Sequence, residues 1–269
     1  MPVKTLLDSD FNGYFREERD HDRCLWLFLH IPKTAGSSFG SELARCLRPK
    51  QNIEIDYSRI AQLQVAGDPY RYLMREAVQA FIANTRVDPH RLAMGHLVSN
   101  EARMISSQVE HVKLVSMLRH PVDRFVSDFR YQRTPGHPLF RDFIEKFPTI
   151  EDYLDSGETN NLIARTLIEG SLDAREFIDH VERNFSFVGF QEDYALHFSL
   201  MMRLLGTKGS PRYFERKTED CRDNMVNVTD RLYQRIVGQN SVDMEFHAHF
   251  KRRFEEIKIP LLAYLRESG

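Results

Sequence analysis

Two stretches of the chain combine residue types that can do chemistry. The first, "HIPKTAGSSF" (His30–Phe39), places one lysine, one glycine and three hydroxyl side chains within six residues, directly after the apolar run Leu25–Leu29. If that run is a strand and a helix follows, the turn between them presents unpaired backbone N–H groups and the positive end of a helix dipole. Such a turn is an anion site before any side chain is counted. Lys33 then adds a point charge, Thr34, Ser37 and Ser38 add hydroxyls, Gly36 allows close backbone approach, and Pro32 stiffens the chain ahead of the turn. The nucleoside-triphosphate loop G-x-x-x-x-G-K-[ST] fits poorly, because here the glycine follows the lysine. Taken alone, "KTAG" reads as a plain βα turn with a surface lysine.

The second stretch is "VSMLRHPVDRFVSDFRYQR" (Val115–Arg133). An apolar run ends at Arg119, and Pro121 suits the first turn of a helix, where its missing N–H costs nothing. Val122, Phe125, Val126 and Phe129 form the apolar stripe of that helix. Ser127 lies off the stripe, with Asp123, Arg124, Arg130 and Tyr131 as its i±3 and i±4 neighbours. An arginine leaving a strand and a hydroxyl two turns into the next helix can clamp a phosphate. Separately, Arg119 could equally pair with a carboxylate and Ser127 could be a solvated helix residue.

Elements that could position these groups are readable along the chain. Leu25–Leu29, Val112–Leu118 and Phe187–Phe190 are short apolar runs of the kind found in strands buried on both faces, and Leu92–Met94 is a weaker one before Gly95. Tyr70, Leu73, Met74, Ala77 and Phe81 recur at helical spacing, and a helix over roughly Asp193–Leu205 stops at Gly206. Strands alternating with helices predict an α/β fold with a mainly parallel sheet, whose ligands sit at strand C-terminal ends. "RTPGHPLF", "DSGETNN" and "GTKGSPRYFERKTEDCRDN" carry the turn residues of loops.

Bulk composition narrows the partners. A net charge of −2 over 269 residues supplies no field for a nucleic-acid duplex or an anionic membrane, so any anion site must be local. No apolar run approaches the ~20 residues needed to span a bilayer. Residues 1–23 read as a polar N-terminal extension without a signal-peptide core. Cys24, Cys46 and Cys221 are odd in number and lack CxxC spacing, which predicts reduced thiols and a cytoplasmic protein. The sequons at Asn184 and Asn227 carry no weight there. His247 and His249 form an H-x-H, but two residues apart on a helix they diverge, so no metal site is expected.

Together the two stretches resemble the nucleotide-binding signatures of the sulfotransferase superfamily. "HIPKTAG" is similar in particular to the branch holding the heparan sulfate 2-O- and 6-O-sulfotransferases and their bacterial relatives. "NNLIARTL" (Asn160–Leu167), "FVGFQEDYALHFSLMMRLLG" (Phe187–Gly206) and "NSVDMEFHAHFKRRF" (Asn240–Phe254) extend the likeness from about Leu25 to Phe254. The resemblance implies a P-loop-like three-layer fold, with residues 24–269 as one sulfotransferase domain. It implies transfer of a sulfuryl group from 3′-phosphoadenosine-5′-phosphosulfate (PAPS) to an acceptor hydroxyl, without a metal.

By the match, Lys33, Thr34, Ala35, Gly36, Ser37 and Ser38 would hold the 5′-phosphosulfate, with Lys33 neutralising the leaving oxygen. Arg119 and Ser127 would bind the 3′-phosphate, a task suited to the planar donor fork of arginine. His96, after Gly95 in "RLAMGHLVSN", is the candidate base, since that branch often has a glycine-histidine pair near this place. His30, Asn161 and Arg165 are candidates for the acceptor side, His30 from behind the reacting groups. The basic loop of Arg212, Arg216 and Lys217 is either a cover for the nucleotide or a solvated charged loop.

The acceptor expected first is a carbohydrate hydroxyl, with tyrosine peptides and small molecules open. The lack of an anchor departs from the Golgi-resident relatives and points to a soluble bacterial-type enzyme. Rival readings are a nucleotide-dependent kinase on a related fold, for which no Mg²⁺-binding carboxylate is evident, and a non-catalytic nucleotide-binding protein. Oligomeric state is not legible.

Overall fold

The computed structural model describes residues 3–20, 23–63, 68–170, 173–207, 211–212, 218 and 220–267. In chain order the elements are α1 (Val3–Leu7), α2 (Phe11–Glu18), β1 (Leu25–Leu29), α3 (Gly36–Cys46), β2 (Lys50–Asn52), α4 (Pro69–Val87), β3 (Leu92–Gly95), α5 (Ser99–Ser106) and β4 (Val112–Leu118). There follow α6 (Pro121–Gln132), α7 (Phe140–Lys146), α8 (Ile150–Asp155), α9 (Leu162–Leu167), α10 (Ala174–Asn184), β5 (Phe185–Phe190), α11 (Tyr194–Leu204), α12 (Asp230–Gln239) and α13 (Ser241–Glu267).

All five strands pair in parallel in the order β2-β3-β1-β4-β5. The apolar runs become strands because helices cover both faces, so no residue of β1 or β5 needs to meet water. On one face Phe39 of α3 stacks on Phe187 of β5 and meets Tyr194 of α11 edge-on. On the other, α4 packs on α5, α5 on α9, α9 on α10 and α10 on α13. A smaller apolar cluster joins α6, α8 and α12 through Val122, Phe125, Phe129, Tyr153, Leu154, Leu232 and Ile236. The order places the switch between β1, whose connection runs outward to β2, and β4, whose connection runs outward to β5. Crevices at such points, beyond the strand C-termini, are where open α/β sheets bind ligands.

Two elements differ from the sequence-based expectation. The edge strand β2 is only three residues, "KQN", with an exposed and polar surface, so it carries no apolar signal. Within the segment read as a polar N-terminal extension, residues 3–20 contribute to the main core, where Val3, Leu6, Leu7, Phe11, Tyr14 and Phe15 are buried. Their spacing gives α1 and α2 one apolar side each, and the Tyr14 hydroxyl donates to the Ser186 carbonyl of the edge strand β5 at 2.7 Å. The buried Lys113 ammonium of β4 meets the Glu18 carboxylate at 2.9 Å. The polar residues that dominate this segment's composition hide a stripe that covers the β5 edge. Tyr14→Ala is therefore expected to cost about 3–5 kcal/mol in urea denaturation, the range for emptying a buried aromatic site. A loss under about 1 kcal/mol would return this segment to the status of an extension.

Candidate active site

Between β1 and α3 the chain folds into a turn that its sequence strains. Lys33 (φ 70°) and Ala35 (φ 65°) both adopt left-handed backbone conformations without being glycine, which costs about 1–2 kcal/mol each. The Thr34 hydroxyl, fully buried, donates back to the Ile31 carbonyl at 2.9 Å and closes the turn. Ala35 is the N-cap of α3 and supplies no capping side chain. The first-turn amides of Gly36, Ser37 and Ser38 thus face the mouth of the turn with the positive end of the helix dipole behind them. Strain of this kind, held by the surrounding structure, clusters at active sites, ligand clamps and switch regions.

Gly36 has a different reason from the one its position suggests. A Cβ there would lie 2.0 Å from His30 Cδ2 and 2.3 Å from Nε2. The close approach that glycine allows is to the His30 ring, which lies over the start of α3. His30 also stacks on Phe28 at 5.6 Å and 14°, and on His96 at 4.5 Å and 26°.

His96 leaves the C-terminal end of β3 and is exposed. Its Nδ1 lies 2.8 Å from the His30 carbonyl oxygen. A carbonyl can only accept, so Nδ1 carries a proton, and in the neutral tautomer this selects, Nε2 is the acceptor. That is the tautomer a general base requires.

Arg119 follows β4, and its Nη1 donates to the Lys33 carbonyl at 3.3 Å. Its Nε is buried without a hydrogen-bond partner among the described residues. Burial lowers its pKa, Asp123 and Glu192 oppose that, and Arg124 and Arg130 add to it. Cations therefore gather on the α6 side of the loop, and a guanidinium stays charged regardless. Ser127 is half-buried on α6. The Glu192 carboxylate, just past β5, accepts the His120 N–H at 2.5 Å and lies 3.4 Å from His247 Nε2. Burial would raise its pKa, but His247 and the backbone N–H groups of Glu192 and His120 outweigh that and hold it at about 2. Glu192 thus fixes the turn that carries Arg119.

The structure brings His30, Lys33, Thr34, Ala35, Gly36, Ser37, Ser38, His96 and Arg119 to one end of the sheet, while Ser127 lies on α6 one turn before Tyr131, whose ring meets Lys33. Asn161 and Arg165 have other partners. Asn161 (φ 48°) accepts the N–H groups of Val242 and Asp243 on its side-chain carbonyl at 3.1 and 3.2 Å, capping α13. Asp243 returns the arrangement, accepting from Ile163 and Ala164 at 2.9 and 2.8 Å at the start of α9. Burial pushes the Asp243 pKa up to about 6 against those two bonds. Arg165 is exposed and donates to the Glu158 carbonyl. Asn161 is thereby a structural cap, its carbonyl committed to α13.

The Arg212 N–H donates to the buried Glu42 carboxylate of α3; Arg216 and Lys217 lie outside the described residues. His247 and His249 turn to different carboxylates, Glu192 and Glu182. Among the described residues no three His, Cys, Asp or Glu side chains group as a metal site would, and no helix is long and apolar enough to cross a membrane. Sequence reading missed Glu192 and the use made of Tyr131, whose ring lies under the Lys33 ammonium.

The turn after β1 and the guanidinium after β4 flank the point of this sheet where open α/β folds bind their ligands. The profile of a family described as "Sulfotransferase family" matches residues 19–256, and the chain belongs to that family. No curated protein sequence matches it. Among solved structures it is similar to mouse sulfotransferase SULT7A1 complexed with PAP, at 15% identity and a TM-score of 0.40, covering 86% of this chain and 69% of that one.

The His30–Gly36 contact is open to test. Gly36→Ala should cost about 1–3 kcal/mol through overpacking, and the double variant His30→Ala/Gly36→Ala should recover most of it. Additive losses in thermal or urea unfolding would show that the ring is not what Gly36 accommodates.

Proposed function

We propose that the protein is a PAPS-dependent sulfotransferase acting on a carbohydrate hydroxyl. The observation that carries this reading is the meeting, at the ends of three adjacent strands, of an anion turn, an arginine and a histidine whose Nε2 is free to accept a proton. The groups lining the turn are donors, namely amides, hydroxyls and the Lys33 ammonium, and Arg119 adds a fork with a buried Nε beside them. That donor set fits two separated anionic groups on one nucleotide.

PAPS supplies the activated sulfuryl group and leaves as adenosine 3′,5′-bisphosphate (PAP). Lys33 and the first-turn amides hold the 5′-phosphosulfate, and Lys33 neutralises the phosphate oxygen that receives the electrons of the breaking S–O bond. Arg119 and Ser127 hold the 3′-phosphate. His96 Nε2 takes the acceptor proton as the new O–S bond forms, while the His30 carbonyl holds Nδ1–H and stabilises the imidazolium. In such transfers positioning and charge stabilisation dominate. The wording "HIPKTAG" supports the heparan sulfate-type branch, and with it a glycan or polysaccharide acceptor.

A thermal-shift comparison of PAP with ADP·Mg²⁺ and GTP·Mg²⁺ tests the donor. PAP should raise the melting temperature by several degrees where ADP·Mg²⁺ and GTP·Mg²⁺ do not. Stabilisation by ADP·Mg²⁺ alone would favour a kinase. With labelled PAPS and a panel of glycans, His96→Ala should keep PAP affinity while turnover falls about 10²–10⁴-fold. Near-normal transfer by that variant would remove His96 as the base.

A further inference from the structure

Lys33 is held at both ends by the elements that carry Arg119 and Ser127. Its carbonyl accepts from Arg119 Nη1, and its ammonium lies over the Tyr131 ring, 3.8 Å from the centroid. Tyr131 sits one turn beyond Ser127 on α6, on the same side of the helix. An ammonium centred on a ring face is attracted by the ring quadrupole, more strongly as water is excluded, and both residues are half-buried. The ring is braced in turn. His137 meets it edge-on at 5.0 Å and 79°, and His137 Nδ1 accepts the Leu139 N–H at 3.3 Å. A nitrogen that accepts carries no proton. Burial lowers the His137 pKa, against the nearby Asp128 carboxylate and with a smaller contribution from the Lys33 charge.

We propose that Tyr131 is the positioning residue for Lys33. Its ring face holds the ammonium on the α6 side of the loop, so adjacent turns of one helix serve both ends of the nucleotide, Ser127 by its hydroxyl and Tyr131 through the lysine. A lysine on a flexible four-carbon stem loses rotamer freedom whenever it captures an anion. The ring removes part of that cost in advance, and it needs only the aromatic face, not the phenolic hydroxyl. The inference rests on the reading of Lys33 as the contact to the 5′-phosphate.

A double-mutant cycle read by calorimetric titration with PAP tests it. Tyr131→Leu should weaken PAP binding about 5- to 10-fold in the presence of Lys33, and less than about two-fold in the Lys33→Ala background. Tyr131→Phe, which keeps the ring, should bind within about two-fold of the unmodified protein. Equal weakening in both backgrounds would overturn the proposal, as would Tyr131→Phe binding as poorly as Tyr131→Leu. If circular dichroism shows Tyr131→Leu unfolded, Tyr131→Met takes its place in the cycle under the same criteria. Failure of the unmodified protein to bind PAP would sink the functional reading and this inference with it. PAP binding with an additive cycle would sink this inference alone.

Discussion

The parallel pairing of β3, β1 and β4 is the constraint on which the site depends. Leu29, the last residue of β1, stands opposite Gly95 on one side and Ser116 on the other. The chain therefore leaves β1 and β3 at one level and β4 a little further on, each about 4.8 Å from its neighbour across the sheet. The turn at Lys33, His96 and Arg119 emerge side by side although they are distant in sequence. Trp26, Leu27, Phe28, Leu29, Val115, Met117 and Leu118 are all at most 1% exposed. A slip of one residue would turn each of them to the opposite face. The core thus sets the geometry of the chemistry.

Within that frame His30 joins the parts. Its carbonyl fixes the His96 tautomer, its ring lies between Phe28 and His96, and the same ring occupies the space that Gly36 leaves over α3. The bond from Arg119 to the Lys33 carbonyl joins the turn to the second constellation. His96, the turn after β1 and the Arg119 guanidinium are consequently one connected unit. The near-neutral net charge is compatible with this, because Lys33 and Arg119 carry positive charge locally, Arg124 and Arg130 beside them being paired with Asp128 and Asp220.

What was legible in the sequence follows from what each signal encodes. Parallel strands covered on both faces are apolar throughout, so β1, β4 and even the covered edge strand β5 stood out as runs, whereas the edge strand β2 is short and polar. The apolar stripe of α1 and α2 is diluted by charged neighbours, and its role in covering β5 exists only once the sheet is assembled. The turn after β1 stood out as a candidate because lysine, glycine and hydroxyls cluster within a few residues. The bond from His96 to His30 was not, since it spans 66 residues and depends on β1 pairing with β3. Asn161 looked like an acceptor contact from its motif, but its left-handed backbone and its place opposite Asp243 make it a helix cap. Caps between distant helices leave no local trace in composition.

The central claim is that the β1 and β4 loops form two anion sites for one nucleotide, and the 3′-phosphate is the group that separates this from other nucleotide sites. Calorimetric titration of PAP and of adenosine 5′-monophosphate into the protein and into Arg119→Ala measures it directly. The unmodified protein should prefer PAP by at least about 10²-fold, and Arg119→Ala should lose most of that preference while adenosine 5′-monophosphate binding changes little. Equal affinity for the two nucleotides, or a preference for PAP that survives Arg119→Ala, would contradict it.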